Sequence, residues 1–104
     1  MATTQEYVEY VCEQLRGAGT LRYRKMFGEY MIYVNEKPIL LVCDNTVYIR
    51  KQSEIAERMA SAEVGKPYPG AKEHYVLDVD NGELARETVS LAEAATVLPR
   101  SKKQ

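Results

Sequence analysis

The chain has 104 residues, 45% of them apolar and 28% charged, and its 14 Lys and Arg against 15 Asp and Glu leave a net charge of −1. That is the size and balance of one globular domain with a workable core. It excludes a strong overall positive field that would draw the molecule onto nucleic acid or an anionic membrane, so any such contact must be local. The longest strongly apolar run, Pro38 to Cys43, falls far short of the roughly 18 residues a membrane helix needs, and the opening "MATTQEY" has no signal-peptide character. A cytoplasmic protein that spans no membrane is the expectation.

Thr3-x-x-Glu6 has capping-box spacing, and Tyr7, Val8, Val11, Cys12 and Leu15 recur at helical intervals until "GAG" at 17–19, which predicts a first helix over about residues 4–16. Leu21 to Lys25 alternates as a short, half-exposed strand, and Phe27-Gly28-Glu29 turns the chain, with Phe27 expected in the core and Gly28 at the reversal. Tyr30 to Val34, Ile39 to Cys43 and Thr46 to Arg50 read as strands separated by the turn residues Asn35 to Pro38 and Asp44-Asn45, making an antiparallel meander of three or four strands. Ser53 opens a helix to about Ala60. "EVGKPYPGAKE" at 63–73, with its prolines and glycines, reads as a loop, His74 to Asp78 as a further strand, Asp80-Asn81-Gly82 as a turn, and Ser90-x-x-Glu93 as the capping box of a last helix ending near Leu98.

If both meander turns hold an even number of residues, one face of the sheet collects Met31, Tyr33, Leu40, Val42, Val47 and Ile49, and the other Tyr30, Ile32, Val34, Ile39, Leu41, Cys43, Tyr48 and Arg50. Both faces are mostly apolar, whereas a sheet covered on one side alternates apolar and polar. Helices should cover one face. Over the other, either a second copy of the chain binds around Tyr30, Ile32 and Tyr48 to form a homodimer, or the loop Gly65 to Lys72 folds across.

The residue types offer no catalytic set. Cys12 and Cys43 lie far apart in sequence, and His74 is the only histidine, so a closed Cys/His metal site cannot be assembled in one chain. The cysteines are expected to be reduced, unlinked and inert. "GKPYPG" at 65–70 has the glycines and lysine of a phosphate loop at the wrong spacing, and its prolines remove backbone donors. "RYRK", Arg22 to Lys25, interleaves an aromatic with cations as nucleic-acid platforms do, but the same charges protect a sheet edge from pairing with other molecules. The 8 tyrosines, beside 1 Phe and no Trp, suit surfaces buried on one side and wet on the other.

At residues 24–51, "RKMFGEYMIYVNEKPILLVCDNTVYIRK", the sequence resembles the N-terminal domain of the TfoX/Sxy family of bacterial competence regulators. The resemblance is carried by Met26-Phe27-Gly28-Glu29-Tyr30, Tyr33, Ile39 to Val42, Asp44-Asn45 and Val47-Tyr48-Ile49-Arg50, and continues more weakly through Tyr68-Pro69-Gly70 and Tyr75. Glu29 and Met31 stand where the family has glycines. The resemblance implies a stand-alone N-terminal module over residues 1–99 with a basic tail at 100–104. It also implies an α+β, two-layer sandwich related to secretion-chaperone-like domains, with no enzyme activity and no cofactor. Three functions follow as expectations. The first is a regulatory or protein-interaction module, with Tyr30, Ile32, Tyr48 and Arg50 at its surface. The second is direct nucleic-acid binding through Arg22, Arg24, Lys25 and the basic tail, expected to be weak for the isolated domain. The third is a small-ligand binder or enzyme using the tyrosine face and the proline loop, which requires a concave pocket with convergent polar groups.

Overall fold

A computed structural model describes residues 3–26 and 29–96. Phe27, Gly28, the end of the last helix as predicted, and the basic tail lie outside the described residues. The order is α1 (Gln5–Gln14), β1 (Leu21–Met26), β2 (Glu29–Val34), β3 (Lys37–Cys43), β4 (Thr46–Arg50), α2 (Ser53–Ala56), β5 (Val64–Gly65), β6 (His74–Val76) and α3 (Gly82–Ala95). The strands form one antiparallel sheet in the order β1-β2-β3-β4-β6-β5, so the meander is as read and β6 joins it beside β4. With helices on one face this is the expected α+β fold.

Several elements differ from their sequence reading. α1 is capped by Thr4, whose side chain accepts from the Tyr7 N–H, and not by Thr3. Thr3 is buried instead, its hydroxyl 2.7 Å from a Glu29 carboxylate oxygen and accepting from the Asn45 N–H, which pins the chain start to the sheet. α3 starts at Gly82, not at Ser90. Asn81 is its N-cap, accepting from the Leu84 N–H, because Asx chemistry before a helix and in a turn is the same local code. Finally, Val64 and Gly65, read as loop, form a two-residue strand against β6. α2 also stops early, giving way to turns after Ala56.

The decisive difference is register. Both hairpins do close with two-residue turns whose central residues, Asn35-Glu36 and Asp44-Asn45, all have positive φ, the left-handed geometry that matches strand twist. Next to the first turn the pairing is as expected, Val34 with Lys37 and Tyr33 with Pro38. A bulge then intervenes, and Ile32 pairs with Leu40 and Tyr30 with Val42. Ile39 is the extra residue on β3. One inserted residue reverses which side chains of β2 and β3 share a face.

The inner face therefore holds Tyr30, Ile32, Val34, Leu40, Val42, Val47 and Ile49, all buried, and packs with Val8, Val11 and Leu15 of α1, Ile55 of α2 and Ala85, Val89 and Ala92 of α3 in one core. Tyr23 adds an edge-on contact to Tyr30 at 5.7 Å between ring centres.

At the far end of α3 the Lys37 ammonium lies 3.0 Å from the Glu93 carboxylate and donates to the Glu93 carbonyl at 2.8 Å, where the helix dipole favours a cation. The hydrogen bond from Lys37 foremost, then one from Asn35, holds the Glu93 carboxyl below its ordinary value of 4.5. A carboxyl depressed in the folded state stabilises above its unfolded pKa and loses that contribution as pH falls through the folded value. Glu93→Gln should thus lower the urea midpoint at pH 7, and the gap to wild type should narrow as pH falls below the ordinary carboxyl range; a gap independent of pH would show that the ion pair contributes nothing.

Candidate functional site on the outer face of the sheet

Alternation from the inner residues turns Arg22, Arg24, Met31, Tyr33, Leu41, Tyr48, Arg50, His74 and Val76 to the opposite face. The segment Tyr68 to Lys72 folds over one end of this face. With Met31, Pro38, Ile39, Leu41, Tyr48, Arg50 and His74 it encloses a groove of about 480 Å³, lined by strand and loop residues and by none from the helices. Ala71 at the base of the loop is buried, whereas the Tyr68 ring is 55% exposed. The Tyr48 ring packs over Gly65, where an added Cβ would come within 3.4 Å of it.

This geometry corrects the predicted interaction patch. Tyr30 and Ile32 are 6% and 0% exposed and face the helices, while Tyr48 and Arg50 face away from them. A dimer centred on Tyr30, Ile32 and Tyr48 is therefore ruled out, because two of its anchors are inside the monomer. The bulge exchanges them for Met31, Tyr33 and Leu41, all only partly buried. The loop does cross the face, as the alternative held, but covers only its β3–β6 end.

The predicted cations divide as well. Arg22 and Arg24 share the outer face; Lys25 pairs with Tyr30 and has the inner parity, although it is exposed. Arg22 is engaged. Its Nη2 donates to the Glu36 carboxylate at 2.8 Å, and its guanidinium lies 4.2 Å over the Tyr33 ring. The hydrogen bond raises the Arg22 pKa and lowers that of Glu36. Among the described residues Arg24, Lys25 and Arg50 make no ion pair, and the groove lining contains no carboxylate. His74 Nδ1 lies 2.7 Å from the Lys72 carbonyl, which can only accept, so Nδ1 carries the ring proton.

A second cleft, about 540 Å³, opens on the other side between α1, the turn after α2 and residues 77–80, with Tyr7, Arg58, Glu63, Asp78 and Asp80 in its wall. Tyr10 donates its hydroxyl proton to Asp80 there, and burial, then the charges of Asp80 and Asp78, push the Tyr7 phenol up. Both phenols stay protonated at neutral pH, and that of Tyr10 serves as a donor.

The cysteines are free, as expected. Burial foremost, with Glu29 and Asp44 nearby, pushes the Cys43 thiol up to about 11, and burial raises Cys12 too. Neither is an activated thiolate. Among the described residues no group of three or more His, Cys, Asp or Glu side chains is placed to hold a metal, and no helix is long and apolar enough to cross a membrane.

The model of the TfoX N-terminal domain matches residues 13–95, from the end of α1 to the end of α3. The chain belongs to the TfoX N-terminal domain family. A relative from Spirochaeta aurantia, described as an uncharacterized 12.7 kDa protein in the trpE 5' region, is 33% identical over 105 residues, covering 99% of this chain and 91% of the relative. The TfoX match thus spans the sheet, both of its faces and the loop over the groove. Within this TfoX domain, Met31, Tyr33 and Leu41 are the surface residues that sequence reasoning missed, and only the position of the bulge would have revealed them; Tyr68 and Lys72 belong to the loop already expected across this face.

Proposed function

We propose that this TfoX domain is a non-enzymatic interaction module of the regulatory kind, an accessory of transcription or competence control that engages a protein partner through the outer face of its sheet. The supporting observation is the make-up of that face. Met31, Tyr33, Leu41 and Tyr48 are partly exposed with Arg24 and Arg50 beside them, and Tyr, Met and Arg are the residues enriched where interfaces bury their centre. The cytoplasm is where such a module works.

The test is capture from native lysate by the wild-type domain and by Leu41→Glu, a change at a half-buried outer position. A partner held by wild type should be lost at least tenfold by the variant, while both proteins give the same circular dichroism. Identical capture by the two would remove the outer face as the binding surface.

The outer face also favours a second reading, a platform for single-stranded nucleic acid, because Tyr33 and Tyr48 offer rings for stacking and Arg24 and Arg50 offer charge on the same side. Salt dependence separates the two readings.

A further inference from the structure

β1 is an edge of the sheet and, at Leu21–Met26, long enough to template another strand. Its backbone is ready for one. The Thr20 carbonyl accepts from the Asn35 N–H at 2.8 Å, and the Thr20 N–H donates to the Asn35 side chain, so Thr20 faces β2. The pairing then runs without a shift from Leu21–Val34 to Met26–Glu29. Hydrogen bonding along an antiparallel strand alternates, so Arg22, Arg24 and Met26 bond to β2, and the N–H and C=O groups of Leu21, Tyr23 and Lys25 point away from the sheet.

A second copy of this chain is a poor occupant. Antiparallel self-pairing must match outward-bonding residues with each other. The three central registers then place Tyr23 opposite Tyr23, Leu21 opposite Tyr23, or Tyr23 opposite Lys25. The first sets Arg22 against Arg24 twice, the second Arg22 against Arg22, and the third Arg24 against Arg24. Every one puts like charges directly opposite, which destabilises a strand pair.

We infer that the free edge of β1 is a docking strand for an extended acidic segment of a partner protein, which adds to the sheet as a seventh strand. Side chains across from Arg22 and Arg24 lie on the outer face and those across from Tyr23 on the inner. The segment it fits therefore carries an acid across from Arg24, an apolar residue across from Tyr23 and another acid near Lys25, while an acid across from Arg22 shares that guanidinium with Glu36. Main-chain bonds supply affinity and the charges supply selection, the usual division in strand addition. This deepens the reading of the domain as an interaction module and rests on it, naming the edge and the chemistry of what binds there.

The probe is the peptide acetyl-Thr-Glu-Glu-Val-Glu-Val-amide, followed by amide hydrogen exchange on the intact domain. On binding, exchange should slow at the Leu21, Tyr23 and Lys25 amides and stay unchanged at Arg22 and Arg24, already bonded to β2. The analogue with lysine for glutamate should bind at least tenfold more weakly, and Arg24→Gln should weaken the acidic peptide several-fold. Lys25→Pro and Lys25→Gln lose the same charge, but only the proline removes an outward N–H, and it leaves the β2 ladder intact. Proline should therefore cost the peptide several-fold more than glutamine. Equal binding of the lysine analogue, or no alternating protection at saturation, overturns the inference. Peptide binding that is lost in Leu41→Glu but leaves the Leu21, Tyr23 and Lys25 amides unprotected also overturns the edge site, yet upholds the outer face as the interaction surface.

Discussion

Ile32→Ala should cost the domain about 2–5 kcal/mol, the loss typical of emptying a fully buried large aliphatic site, while Met31→Ala, its neighbour in sequence, should change stability by about 1 kcal/mol or less. Ile32 has no exposed surface and sits between the inner strands and the helices, whereas Met31 is only half buried on the outer face. Set against a total stability of about 5–15 kcal/mol for a domain of this kind, the first change brings the protein close to unfolding at 25 °C and the second is hardly felt. Urea titrations with a common slope read both values. The contrast tests the bulge between Ile32 and Tyr33 directly, since without it Ile32 would share a face with Tyr48 and Arg50. Equal losses at the two positions would mean that the register is wrong.

Binding to DNA should be weak and steeply salt-dependent. Arg22 is held by Glu36 and Tyr33, which leaves Arg24, Lys25 and Arg50 as the cations on the strands themselves without ion pairs among the described residues. About three phosphate contacts give a slope of log K against log salt near −3 on duplex DNA and near −2 on a single strand. Raising salt from about 50 to 200 mM then lowers duplex affinity about 40-fold, leaving binding in the non-specific range at physiological salt. Fluorescence anisotropy with a labelled duplex and a labelled single strand gives both slopes. Submicromolar, sequence-dependent binding at about 150 mM salt would make nucleic acid, and not protein, the ligand of the outer face.

Local chemistry made much of this fold legible. Asn35 and Asp44-Asn45 made both hairpin turns legible because Asn and Asp tolerate positive φ, whereas the positive φ of Glu36 was not. The apolar spacing from Tyr7 to Leu15 can bury one stripe only as a helix. The Met26 to Arg50 pattern carried the family. Where a local code has two meanings, the sequence could not choose between them. Asp80-Asn81-Gly82 serves a turn or a helix start, and α3 began there because Ala85, Thr88, Val89 and Ala92 could then all reach the core.

The composition of the β2, β3 and β4 strands, rich in apolar residues on both sides, was enough to determine that this protein would have a sheet with one face for helices and another face to be covered in some different way. Which residues went to which face was decided only in three dimensions. With a regular hairpin Tyr30 and Ile32 would lie beside Tyr48, and with Ile39 bulged they lie beneath the helices, while Met31, Tyr33 and Leu41 take the outer positions. Pro38, which has no N–H to give the ladder of this internal strand, is a local sign of irregularity beside Ile39, but the bulge's place is set by packing Tyr30, Ile32 and Val34 together against α1 and α3, partners distant in the chain. Side chains alternate with a period of two, so that single inserted residue moved the whole candidate surface to a different set of side chains.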